Sequence, residues 1–131
     1  MKQIVETGAV KDSFPRFAVR DEIVLTAVQL QDVEPTDEIK IGIEIGWDNS
    51  GAWDMGELEI LLRKGSPEGE VVEWSLESCF SSAFTKIAYK TIGGERSQSY
   101  YLTVRSPHGR AVISGPYWLK ANVRSGQYKS R

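Results

Sequence analysis

The chain of 131 residues contains one cysteine and one histidine. A single thiol, Cys79, excludes an intramolecular disulfide, so the fold has to stand on its core. The same scarcity removes zinc sites built on several thiolates. With His108 as the sole imidazole, metal chemistry is left to carboxylates alone. Apolar runs are only a few residues long, far short of the roughly 20 that a membrane-crossing helix needs, and no membrane partner is expected. The opening stretch "MKQIVETGAVKD" has no apolar segment of signal-peptide length, so the product is expected to be cytoplasmic at synthesis unless a signal has already been removed. None of the sequences G-x-x-x-x-G-K-[ST], G-x-G-x-x-G or G-x-S-x-G occurs, and no cofactor is expected.

Acidic residues run out toward the C-terminus. Residues 1–63 carry 6 basic and 13 acidic side chains, whereas residues 64–131 carry 10 basic and 5 acidic. After Glu95 there is no acid, yet Arg96, Arg105, Arg110, Lys120, Arg124, Lys129 and Arg131 follow. This asymmetry bears on partners and self-association rather than on fold. A whole-chain pI of about 5.5 disfavours nucleic acid as the partner.

The dominant periodicity is two. In Ile39, Ile41, Ile43, Ile45 and Trp47 every second residue is large and apolar, while Lys40, Gly42, Glu44 and Gly46 take the other face, the pattern of a half-buried strand. Shorter runs repeat it: Val24, Thr26, Val28 and Leu30; Leu58, Ile60 and Leu62; Val72, Trp74 and Leu76; Ile87 and Tyr89; Tyr100, Leu102 and Val104; Tyr117, Leu119, Ala121 and Val123. Turn chemistry separates them in "EPTDE", "DNSGAWDMG", "KGSPEG", "IGGERS", "SPHG" and "SGP". No repeat or linker divides the chain, so one domain over 1–131 is expected, an all-β antiparallel sandwich of about seven to nine short strands. A short helical turn over residues 77–84, "ESCFSSAF", is the one exception considered. In general architecture the pattern resembles an immunoglobulin or fibronectin sandwich, with "SYYLTVRSPHGRAVISGPYWLKA" as a late hairpin. The two cysteines of antibody domains are absent, and no family is identified.

Three places can carry chemistry. The turn after Trp47 gathers Asp48, Asn49, Ser50, Asp54, Glu57 and Glu59, but an EF-hand spacing fails because Ala52 and Trp53 fall where a ligand and a glycine are required. A plain connection without metal is expected. Trp47 continues an inward face and belongs to the core; Trp53, following Gly51 and Ala52, is expected to be the more exposed, able to meet a sugar ring or another protein. A Cys79/His108 dyad has no supporting motif, so Cys79 reads as a small buried hydrophobe and His108 as a turn side chain. The third place is the basic tail. If its two strands are neighbours, Tyr101, Arg105, Trp118, Lys120 and Arg124 share one outward face, rich in the residue types enriched at protein contacts.

The function expected from this sequence is a non-enzymatic protein-interaction or assembly module, of the kind a virion, secretion system or inhibitor uses, with Tyr101, Arg105, Trp118, Lys120, Arg124 and Trp53 as binding residues and a protein partner or a second copy as the ligand. The alternative is a carbohydrate-binding module using Trp53 and Trp118 as platforms. A small hydrolase has no signature in the sequence.

Overall fold

Alternating apolar residues force alternate side chains to one face, and two such faces bury each other. The computed structural model describes residues 2–51 and 54–126, which form nine strands: β1 (Gln3–Ala9), β2 (Phe17–Ala18), β3 (Ile23–Leu30), β4 (Glu38–Asn49), β5 (Gly56–Lys64), β6 (Glu70–Cys79), β7 (Ser82–Ile92), β8 (Gln98–Arg105) and β9 (Ala111–Arg124). Sheet A has the order β1-β9-β4-β7, with β2 added on β9; sheet B has the order β3-β8-β5-β6. Every pairing is antiparallel. Apart from the β1–β2 step and the β5–β6 hairpin, each strand is followed by one in the opposite sheet. That alternation is the jelly-roll form of the antiparallel sandwich.

The core lies between the sheets and is built from the residues that the periodicity marks. Ile39, Ile41, Ile43, Ile45 and Trp47 of β4 are buried, opposite Leu58, Ile60 and Leu62 of β5 and Tyr100, Leu102 and Val104 of β8. Removing each such side chain from water contributes about 1.5–3 kcal/mol. Trp47 keeps its one polar atom satisfied by donating from Nε1 to Thr85 Oγ1 at 3.1 Å, both residues being buried. Along one lateral edge the sheets are stitched together, since Thr26 Oγ1 donates to Thr7 Oγ1 at 2.7 Å and Thr7 Oγ1 donates to Ala27 O at 3.0 Å. On the opposite edge β6 passes into β7 through Phe80 and Ser81.

Five local expectations are corrected. Residues 77–84 hold no helical turn: β6 runs to Cys79 and β7 starts at Ser82, so the segment is the arch between sheets. "SGP" is not a turn but lies inside β9, where the register against β4 shifts between Ile45 and Trp47. Gly46 makes room for that irregularity, because a Cβ there would collide with Gly115 O. The tail strands do not form a hairpin, because β8 belongs to sheet B and β9 to sheet A. Val24 faces outward and is exposed, because a bulge between Val24 and Thr26 reverses the alternation that buries Val28 and Leu30. Trp74 and Leu76 also face outward, directly opposite Leu61 and Glu59; a register shift beside Leu62 leaves only Val72 of that run against the core. In addition, β1 is not among the runs marked by periodicity, because Ile4 and Val5 are its only large apolar residues.

Ile43 sits at the middle of β4 with paired strands on both sides. Ile43→Ala is expected to lower the unfolding free energy by about 2–5 kcal/mol, through lost transfer energy and the cavity left behind. Denaturant melts giving less than about half a kcal/mol would place this strand at the periphery of the stability.

Candidate functional site

The two sheets expose faces of different electrostatic character, and the tail residues are divided between them. Tyr101 and Arg105 point outward from sheet B, whereas Trp118, Lys120 and Arg124 point outward from sheet A. The single face of five side chains expected from the sequence does not form, because it required β8 and β9 to be neighbours.

The outer face of sheet B is internally wired. Arg63 donates through Nε to Glu22 Oε2 at 2.6 Å and through Nη2 to Oε1 at 2.9 Å, a two-pronged pair that Thr103 Oγ1 reinforces by donating to Oε2 at 2.6 Å. These bonds, with the Arg63 contact first among the causes, hold the Glu22 carboxyl below its ordinary range against the opposing effect of desolvation. Arg105 donates to Glu59 Oε1 at 2.6 Å, and Trp74 Nε1 donates to the other oxygen of the same carboxylate at 2.5 Å. Arg105 is thus spent on a partner within the chain. Leu61 is buried on this outward face opposite Trp74.

The outer face of sheet A reads in cross-strand rows. Lys90 and Lys40 lie directly opposite one another, with Asn122 beyond; the next row is Ala88, Gly42 and Lys120, then Lys86, Glu44 and Trp118. At the other end Ile92, Glu38 and Arg124 share a row. A shallow depression of about 260 Å³ opens over Gly42 and Ala88, rimmed by Lys40, Lys90, Lys120 and Asn122. Asn122 Oδ1 is buried at its edge and accepts no hydrogen bond. A second depression of about 500 Å³ adjoins it through Lys40 and Lys90 and reaches Ile92 and Arg124. Trp118 is not an open platform: its ring lies against Gly8, where a Cβ would come within 2.7 Å of Cε3.

Two further groups stand out. Around the β6–β7 edge Trp74 (53% exposed), Leu76, Phe80 (69%) and Phe84 (48%) present large apolar side chains to water. Around the β4–β5 connection the carboxylates point to separate partners, Asp48 to Arg16, Asp54 toward Arg110 and Glu57 toward the His108 ring, while Asn49 Nδ2 donates to Asp54 O and Phe80 O. Trp53 lies outside the described residues. Cys79 is partly buried at the end of β6, where desolvation first, and then the charge of Asp48, pushes its thiol up. Sequence reasoning misses Lys40, Lys90 and the apolar edge. The signals that could find them are the outward lysines of two long alternating strands and the outward tryptophan opposite the uninterrupted run "ILL".

No known family profile matches the chain, and no curated protein matches it. Among solved structures it is similar to the empty virus-like particle of Cowpea mosaic virus, at 12% identity and TM-score 0.42 over 98% of this chain and 84% of that one. It is also similar to infectious bursal disease virus, Gx strain, at 14% identity and TM-score 0.35 over 95% of this chain and 38% of that one. An arabinose-bound α-L-arabinofuranosidase aligns at 15% identity and TM-score 0.36, over 94% of this chain but only 22% of its own. At these identities and TM-scores the likenesses carry no argument about function.

The lowered Glu22 pKa has a defined consequence. A carboxyl held below its unfolded value adds stability that is complete above the ordinary value of 4.5 and is lost as the pH falls through the lowered folded value. Glu22→Gln is therefore expected to cost about 1–2 kcal/mol at neutral pH, solvent screening included, and to flatten the acid limb of stability against pH. Denaturant melts across the acid range with the same slope in both proteins would refute the assignment.

Proposed function

We propose that this domain is a non-enzymatic assembly module that binds a second copy of itself along the β6–β7 edge. The observation that carries the reading is that Trp74 and Leu76 on the outer face of sheet B, Phe84 on the outer face of sheet A and Phe80 in the arch between them are all exposed along one edge of the sandwich. Exposed apolar groups gathered in one place mark interaction surfaces, whereas scattered ones do not. The edge also ends both sheets, β6 in sheet B and β7 in sheet A, so 10- and 11-residue strands leave backbone groups without a ladder partner.

The charges on these strands select between pairings. β6 carries Glu70, Glu73 and Glu77 and no base, while β7 carries Lys86 and Lys90 and no acid. Like edges repel and unlike edges attract. A two-fold axis along the strands would bring β6 of each copy beside β7 of the other, running antiparallel and extending both sheets across the contact. Trp74 and Leu76 would then adjoin Phe84 and Ala88 of the second copy on a shared outer face. The carbohydrate reading is weaker, because its described platform, Trp118, has its ring against Gly8.

The expected outcome is a dimer in light scattering at micromolar concentration, abolished by the double change Trp74→Glu with Phe84→Glu; both side chains are exposed, so the domain stays folded, with a melting temperature lowered by loss of the Trp74 bond to Glu59. A wild-type monomer at about 100 μM, weaker than any specific interface of standard size, would overturn the proposal. So would a dimer that persists in the double variant.

A further inference from the structure

The cations of this protein are not distributed evenly between paired and unpaired states. Arg63, Lys64, Arg96, Arg105 and Arg110 each have a carboxylate within 4.0 Å. Among the described residues, Lys11 and Arg20, both outside the strands, have none, and neither have Lys40, Lys86, Lys90, Lys120 and Arg124, all five of which lie on the outer face of sheet A. Lys40 is directly opposite Lys90, a like-charge pair that a sheet does not place there for stability. Lys120 stands on the diagonal from Lys40, and the space enclosed by the three is floored by Gly42 and Ala88, which have no bulk to fill it.

We infer that this lysine-rimmed depression docks a short, extended, acidic polypeptide segment. The rows holding Arg124, then Lys40 with Lys90, then Lys120, then Lys86 follow one another at two-residue steps, roughly 6.6 Å apart along the strands. A strand-like peptide with an acid at alternate positions repeats its carboxylates at that same spacing. The rest of the groove argues for a peptide over a uniform polyanion. Glu38 and Glu44 bracket the three lysines on β4 and would repel a charge that continued past them; Glu6, opposite Lys120 on β1, limits the patch on its third side. Ile92, exposed beside the larger depression, offers an apolar contact that a peptide side chain can use and a phosphate cannot. The site shares Lys86 and Lys90 of β7 with the proposed edge contact, but it opens on the outer face of sheet A and does not rest on that contact.

The test is fluorescence anisotropy with a labelled Glu-Leu-Glu-Leu-Glu peptide. The peptide should bind the wild type and the Trp74→Glu, Phe84→Glu variant alike, weaken as salt is raised, and lose on the order of tenfold in affinity in Lys40→Glu with Lys90→Glu. Lys120→Glu should weaken it as well, whereas Lys64→Glu, on a different sheet, should not. The glutamine analogue of the peptide should fail to bind. Thermal melts of the lysine variants guard against unfolding, and relief of the Lys40–Lys90 opposition predicts that Lys40→Ser melts no lower than the wild type. Equal peptide affinity in the double lysine variant would overturn the inference. So would an oligothymidylate or inorganic phosphate that displaces the peptide from these lysines at equal or lower concentration.

Discussion

Everything in this fold hangs on the placement of β4. It is paired on both sides, with β7 from Glu38 to Asp48 and with β9 through a register that breaks once, and its five inward side chains from Ile39 to Trp47 reach the core without interruption. A one-residue slip would turn those isoleucines to water and bring Lys40 and Glu44 into the interior, at a cost no local gain could offset. The register of β4 therefore fixes its outward row as well. Lys40 and Gly42 must face outward because Ile39, Ile41 and Ile43 are buried, and the β7 register then sets Lys40 opposite Lys90 and Gly42 opposite Ala88. The depression on sheet A is in this sense a by-product of the core.

The two outer faces then divide the electrostatics. Sheet B pairs its charges: the Glu22–Arg63 fork and the Trp74–Glu59–Arg105 chain use carboxylates of the acidic first half to neutralise cations. The Glu22 carboxylate favours the folded state while charged, and both carboxylates are held in place by more than one donor. Asp37 behaves similarly at the other end of the molecule, where it is buried, accepts from Lys2 at 2.6 Å and from the Glu34 amide at 2.9 Å, and is held below the ordinary carboxylate range chiefly by Lys2. Sheet A leaves its lysines to solvent. The contrast makes the unpaired group on sheet A the more telling one, since the chain has acids enough to pair it.

Much of the sandwich is legible in the sequence. Alternation at period two identifies the inward residues of β4, β5, β8 and β9, because burial on one face of a strand is a local property of the chain. It fails at β3 and β6 for one reason, a β-bulge, which inserts a residue and inverts the faces that follow. It fails at "SGP" because proline and glycine read as a turn although here they mark an irregularity inside a long strand. The outward positions of Lys120 and Arg124 are read correctly from the alternation, and so are those of Tyr101 and Arg105.

Which outward residues share a face is a different kind of fact. The sequence by itself determined the fold class, the core contributed by β4, β5, β8 and β9, and the orientation of each tail side chain, since these follow from chain periodicity and the cost of burying polar groups. Only the tertiary structure decided that β8 and β9 belong to opposite sheets, that Arg105 is matched by Glu59, and that Lys40 and Lys90 join Lys120 around a bare floor. Those contacts join residues far apart along the chain, across a strand order that no local pattern encodes. The order is set by how two twisted sheets can bury all their apolar faces at once, a condition on the whole chain and not on any stretch of it.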